Sequence, residues 1–127
     1  MPSTRLSDCD PSLQLAYACL LAEFREQTGH DLLLTCTHRS STEQAVLYAQ
    51  GRTTAGPIVT QLDGTSHKSK HNAVPARALD VAVLVGGKVS WDFTQYTPLV
   101  ELAQKYGLVS GGSWPHFKDW PHLELPD

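Results

Sequence analysis

Residues 78–85, Ala-Leu-Asp-Val-Ala-Val-Leu-Val, constrain this chain more than any other stretch. The run is short, apolar and rich in β-branched residues, and it reads as a β-strand. Gly86-Gly87 supplies a hairpin turn signal, and Lys88-Val89-Ser90-Trp91 reads as the returning strand. Successive side chains of a strand point to opposite faces. Leu79, Val81, Val83 and Val85 therefore share a core face, and Ala78, Asp80, Ala82 and Leu84 share the other. Asp80 stands between two alanines on its own face. A carboxylate flanked by small side chains leaves room for something to approach it.

The elements around this strand do not repeat in a βαβ order. Residues 11–28 read as a helix, with Asp10 as cap, Pro11 in the first turn, and Leu13, Tyr17, Leu20, Leu21 and Phe24 at helical spacing. Gly29 is its stop. Asp31 to His38 reads as a strand. A second helix is capped by Ser40 or Ser41, carries Glu43-Gln44 in its first turn and Val46 and Leu47 on its buried side, and ends near Gln50-Gly51. Residues 51–77 show no period and read as one long loop, a length that points to function or disorder. A third helix spans 95–106, with Leu99, Leu102, Ala103 and Tyr106 on one face and Gly107 as stop. After a turn at Gly111-Gly112, His122 to Leu125 forms a last short strand. This order favours an α+β fold in one domain covering residues 1–127.

Charge and hydropathy exclude several classes. A formal net charge of −3 argues against a broad nucleic-acid or anionic-membrane surface. No apolar run is long enough to cross a bilayer. The N-terminal residues MPSTRLSDCDPS carry no Sec-type signal core, and the scattered Cys9, Cys19 and Cys36 suit a reducing compartment, so synthesis in a cytoplasm is expected.

The chemistry converges on the far face of the two last-named strands. Leu123 and Leu125 share one face, so His122 and Glu124 share the other, as Asp80 does on its strand. The loop ending Ser69-Lys70-His71-Asn72 leads toward Asp80. Zinc accepts imidazole nitrogen and carboxylate oxygen, and a catalytic site has three protein ligands with one open position. His71, Asp80 and His122 fit that set, and Asp119 can sit beside the bound water as general base. Other readings stand beside this one. The chain has six histidines. His67 competes with His71 as ligand, His116 is either a surface residue or one that handles substrate or protons, and His30 and His38 read as structural. Asp119 can instead cap a turn, and Arg39 can be a surface ion-pair partner. Trp114, Phe117 and Trp120 are candidates for a cleft wall or for core packing. Lys68, Lys70 and Arg77 read as a solvated loop face or as an attraction for an anionic peptide.

Ser69-Lys70-His71, Ala78-Leu79-Asp80 and Asp119-Trp120-Pro121-His122-Leu123-Glu124 match the pattern S-x-H, A-x-D, D-x-x-H-x-E. In this the chain resembles the LAS metallopeptidases, which include D-Ala-D-Ala peptidases and phage L-alanyl-D-glutamate endopeptidases. His38-Arg39-Ser40 through Gln44, Leu47-Tyr48-Ala49-Gln50-Gly51-Arg52-Thr53, Gly56 and Ile58-Val59-Thr60 resemble the phage endolysin branch. The likeness runs from about Thr37 to Glu124. The segment between His71 and Asp80 is longer than the family's usual spacing and lacks its glycine, which a loop can absorb. The resemblance implies a hedgehog/D-Ala-D-Ala-peptidase-like fold: a small antiparallel sheet with helices on one side and a Zn2+ cleft on the other. It implies His71, Asp80 and His122 as zinc ligands and Asp119 as general base. Arg39 would bind substrate and stabilise the oxyanion, Ser69 would orient the site or touch substrate, and Glu124 would fix a ligand histidine. The substrate implied is the peptidoglycan stem peptide, cut between L-Ala and D-Glu by a monomer that waits in a host cytoplasm before lysis. A D-alanyl-D-alanine carboxypeptidase and a non-catalytic zinc- or muropeptide-binding relative are the alternatives.

Overall fold

The computed structural model describes residues 1–127. Helix α1 spans Pro11–Thr28. It starts where the Asp10 side chain accepts from the Ser12 amide, and it ends at Gly29, whose φ of 72° is open to glycine at no steric cost. Its buried stripe is Leu13, Tyr17, Leu20 and Phe24. Helix α3, Thr97–Lys105, buries Leu99, Leu102 and Ala103. Both stripes meet Leu79, Val81 and Val83 in one core cluster that also takes Leu123 and Leu125. Complete burial of a side chain such as Leu20, Phe24 or Leu99 contributes about 1.5–3 kcal/mol over exposure.

The sheet has five strands: β1 (Asp31–Cys36), β2 (Ala78–Val85), β3 (Lys88–Ser90), β4 (Val109–Ser110) and β5 (His122–Glu124). All pairings are antiparallel, in the order β1-β2-β5-β4, with β3 on the C-terminal half of β2. The register sets Asp80 opposite His122 on one side and opposite Cys36 on the other. The fold is α+β, as the element order implied.

Several elements depart from the sequence reading. Helix α2 spans Ser41–Ala49 behind a Ser40–Glu43 capping box. Its buried residue is Gln44, whereas Val46 is exposed and Leu47 half-buried. The expected apolar buried side is absent because α2 does not join α1 and α3 in the core cluster; it lies with the long loop on the Asp80 side of the sheet. The helices are thus not all on one side. β1 ends at Cys36, two residues early, at a bulge between Leu34 and Cys36. The Thr37 amide instead donates to the Ser3 carbonyl. Asp92 caps a separate 3-10 turn at Phe93–Gln95, so α3 starts at Thr97. β4 was not anticipated; at two residues it has no period to read. The lengthened segment before Asp80 is tied to the N-terminal region: the Ala76 amide donates to the Asp8 carbonyl and the Asp10 amide to the Ala76 carbonyl. No helix is long and apolar enough to cross a membrane.

Candidate metal centre

Three elements deliver the ligand-type side chains. β2 presents Asp80, β5 presents His122 across from it, and a 3-10 turn at Lys70–Asn72 presents His71. That turn is closed on itself and then fastened. Ser69 Oγ accepts from the His71 amide at 3.2 Å, and Asn72 Oδ1 accepts from the Ser69 amide at 2.8 Å. Asn72 Nδ2 donates to the Arg39 carbonyl at 2.8 Å, and the Arg39 amide donates to the His71 carbonyl at 2.9 Å. The turn bearing His71 and the segment bearing Arg39 therefore form one unit.

The hydrogen bonds around the two histidines define their tautomers. His71 Nδ1 lies 2.7 Å from the Thr37 carbonyl oxygen, which can only accept. Nδ1 carries a proton, and Nε2 faces Asp80 Oδ1 at 3.2 Å, a donor to it when the imidazole is charged and a lone pair when a cation lies among these groups. His122 Nε2 lies 2.8 Å from Glu124 Oε1, so that nitrogen is the donor and Nδ1 faces the same Asp80 Oδ1 at 3.1 Å. Two imidazole lone pairs and one carboxylate oxygen thus converge in a site where both rings are buried. Lone pairs placed this way repel unless a proton or a cation lies among them. The donor set, two nitrogens and one oxygen with outer hydrogen bonds fixing both rings, fits a zinc-type metal.

The same arrangement explains the titration of the bare site. Burial opposes the charged form of His71, but the Asp80 charge and hydrogen bond outweigh it and raise the pKa to about 10. Burial likewise opposes ionised Asp80, and His71 and His122 nonetheless hold its pKa below the usual range. Asp119 behaves oppositely. Burial and then the Asp80 charge push its pKa up against the pull of His122, His71 and Arg39. A carboxyl with that bias, within 4.8 Å of the donor atoms of Asp80 and His122, suits proton transfer. Its position depends on Gly111, whose carbonyl accepts from the Asp119 amide at 3.0 Å.

Around these groups lies a cleft of about 520 Å³, walled by Leu47 of α2 and Gln50 just past its end, by residues 59–62, and by Trp114, His116 and Phe117. Arg39 reaches in from beyond β1, with Nη2 3.6 Å from Asp80 Oδ2.

His71, Asp80, His122, Asp119, Arg39 and Ser69 all line this one cleft. His67 does not; its side chain is 73% exposed and faces Asp63 at 4.0 Å. Trp114 sits 5.1 Å from the His122 ring, and Phe117 lines the cleft mouth. Trp120 packs instead on the core and stacks on Phe93. Lys70 is not on a solvated loop face. It pairs with Glu124 at 2.8 Å and donates to the Leu125 carbonyl, bracing the residue that holds His122. Sequence reasoning missed Cys36, whose Sγ lies 3.4 Å from Arg39 Nη2 and 3.7 Å from His71 Nδ1. The bulge that ends β1 puts it there, and no local signal marks that bulge. Cys36 lies against the ring nitrogen that Thr37 already occupies, so it is not a fourth member of the converging set.

Fold and site together set two histidines and an aspartate at the floor of a cleft with a carboxyl beside them, a donor set of the kind that holds a metal. No protein-family model matches the chain. It is 38% identical over 107 residues to the peptidoglycan L-alanyl-D-glutamate endopeptidase CwlK of Bacillus subtilis (strain 168). That match covers 76% of this chain and 62% of CwlK, so the chain spans under two thirds of this relative. In fold it is similar to the L-Ala D-Glu endopeptidase ChiX of Serratia marcescens, with a TM-score of 0.64, 20% identity, and coverage of 99% of this chain and 90% of that one. The likeness to ChiX is one of fold, and the likeness to CwlK runs over three quarters of this chain.

Proposed function

We propose that this chain is a zinc-dependent peptidoglycan endopeptidase that cuts the stem peptide between L-Ala and D-Glu. His71, Asp80 and His122 hold the metal, Asp119 is the general base, and Arg39 and Ser69 serve substrate. The observation that carries the reading is the convergence of His71 Nε2, Asp80 Oδ1 and His122 Nδ1, each histidine fixed from behind, with Asp119 beside them in an open cleft. The names of the two relatives support the choice of bond.

Zinc bound there would supply Lewis acidity toward a water and the scissile carbonyl. Asp119, with its pKa raised by burial, accepts the proton of the attacking water and passes it to the leaving amine. The Arg39 guanidinium, half of it already held at Asp80 and Cys36, donates to the oxygen on which negative charge develops. Ser69 lines the cleft where substrate lies and also caps the turn that keeps His71 in place. The apolar side of the cleft, Leu47, Val59 and Phe117, lowers the local dielectric around these charges.

Mass spectrometry of peptides released from purified peptidoglycan tests the proposal. New N-terminal D-Glu is the expected product. Release of terminal D-Ala instead moves the chain to the carboxypeptidases, and no release from the metal-loaded protein overturns the enzyme reading. The motif likeness to the phage endolysin branch supports a lytic role from inside a host cell. Expression in a bacterial cytoplasm is then harmless until a membrane-permeabilising protein is co-expressed; unchanged growth after permeabilisation overturns that role.

A further inference from the structure

Gln44 is the one buried residue of α2, and it is fully buried although the helix itself is peripheral. A guanidinium has no acceptor, so the 2.8 Å contact from Arg39 Nη1 must end on the amide oxygen of Gln44. That fixes the other end. Nε2 donates to the Leu62 carbonyl at 2.9 Å and reaches Thr60 Oγ1 at 3.3 Å. Thr60 and Leu62 belong to the cleft wall facing the metal centre. Gly64 packs against the stem of the same side chain: a Cβ there would lie 2.8 Å from Gln44 Cβ and 2.9 Å from the Ser41 carbonyl. Arg39 has little else to aim it. Its Nε is buried without a partner, and Nη2 has only the Cys36 thiol and a 3.6 Å approach to Asp80.

We propose that Gln44 is a positioning residue whose amide oxygen aims the Arg39 guanidinium into the cleft while its amide nitrogen pins the 60–62 wall opposite the metal centre. The inference rests on the reading that Arg39 serves the substrate. It follows that the two ends of one amide control two separable properties. The oxygen end governs the chemical step, through Arg39. The nitrogen end governs substrate binding, through the wall.

Two substitutions separate them. Gln44→Glu keeps an acceptor for Arg39 and loses the donor to Leu62. Gln44→Met matches the length and loses both. On metal-loaded protein cutting a defined muropeptide, Gln44→Glu raises KM about 3- to 10-fold with kcat within twofold of wild type. Gln44→Met also lowers kcat, by about 10- to 100-fold. Tryptic nicking at the exposed Lys68 reads the wall without any activity, and both variants accelerate it several-fold. Wild-type kcat in Gln44→Met overturns the Arg39 half, and unchanged nicking overturns the wall half. Equal losses in both variants that track the folded fraction in thermal melts reduce Gln44 to a packing residue. If Gln44→Met does not fold, the split in Gln44→Glu still decides. A wild type that releases no peptide counts against the proposed function instead, while the nicking rates still judge the docking.

Discussion

Thr37 and Glu124 decide which nitrogen each site histidine can present, and neither is itself a member of the converging set. The Glu124 carboxylate is held below its usual pKa by His122 and Lys70 despite burial, so it stays an acceptor for His122 Nε2. Glu124→Ala should therefore weaken metal binding by about 10- to 100-fold, read by competition with a chromogenic chelator, and leave kcat at saturating metal little changed. An unaltered affinity would remove Glu124 from the site. Asp119→Asn keeps the shape of the side chain and deletes the proton acceptor. Its kcat should fall by about 10²–10⁴ while metal content and Tm stay at wild-type values. The choice between His71 and His67 as ligand is tested at this scale too. His71→Ala should lose the metal by elemental analysis and His67→Ala should retain it, since His67 lies out in solvent beside Asp63.

At the scale of elements, the site depends on close backbone approaches as much as on side chains. Gly111 abuts the Asp119 carbonyl so tightly that an added Cβ would overlap it and would stand 3.0 Å from His122 Cβ. Gly111→Ala should cost about 1–3 kcal/mol of stability and displace Asp119, lowering kcat of the folded fraction. Gly86→Ala is the control. It meets no atom within 4 Å, but its φ of 59° is strained for alanine, so only stability should fall. The capping box of α2 supplies a pH-dependent case. Hydrogen bonds from the Ser40 amide first and the N-terminal amine second take Glu43 from its ordinary 4.5 to about 2. A depressed carboxyl pKa contributes stability above the unfolded value that is lost as pH falls from 4.5 toward 2. Glu43→Gln should flatten the acid side of a Tm-against-pH curve in that window; an identical curve would exclude the coupling. These elements also mark what the sequence discloses. The ends of α1 were legible because Asp10, Pro11 and Gly29 are local signals. The buried side of α2 was not, because Gln44 is buried by Arg39 and by residues 60–64, partners that helical periodicity does not encode.

Over the whole molecule the sheet separates stability from chemistry. Leu79, Val81 and Val83 face α1 and α3, while Asp80 faces the cleft, so the alternation along β2 that located Asp80 also located the core. The same logic placed His122 on β5. It did not reach the Thr37 carbonyl, Cys36 or Lys70, which meet the site through a bulge and a turn. This separation has a consequence for metal removal. In small domains built around a metal, binding and folding are one event. Here the core cluster lies on the opposite face and does not include the metal-site residues, so the stripped protein should remain folded with a cooperative melt. It should still be less stable. Without a cation, the site must hold two buried imidazoles against Asp80 by protonation, and it loses the linkage term of about 4.1 kcal/mol that a metal at a thousand times its Kd provides. A drop in Tm of several degrees or more on chelation, reversed by adding zinc and shrinking as free zinc is lowered, is the expected result. Complete unfolding on chelation would show that the centre is part of the fold. A Tm indifferent to chelator and zinc would show that these three side chains hold no metal.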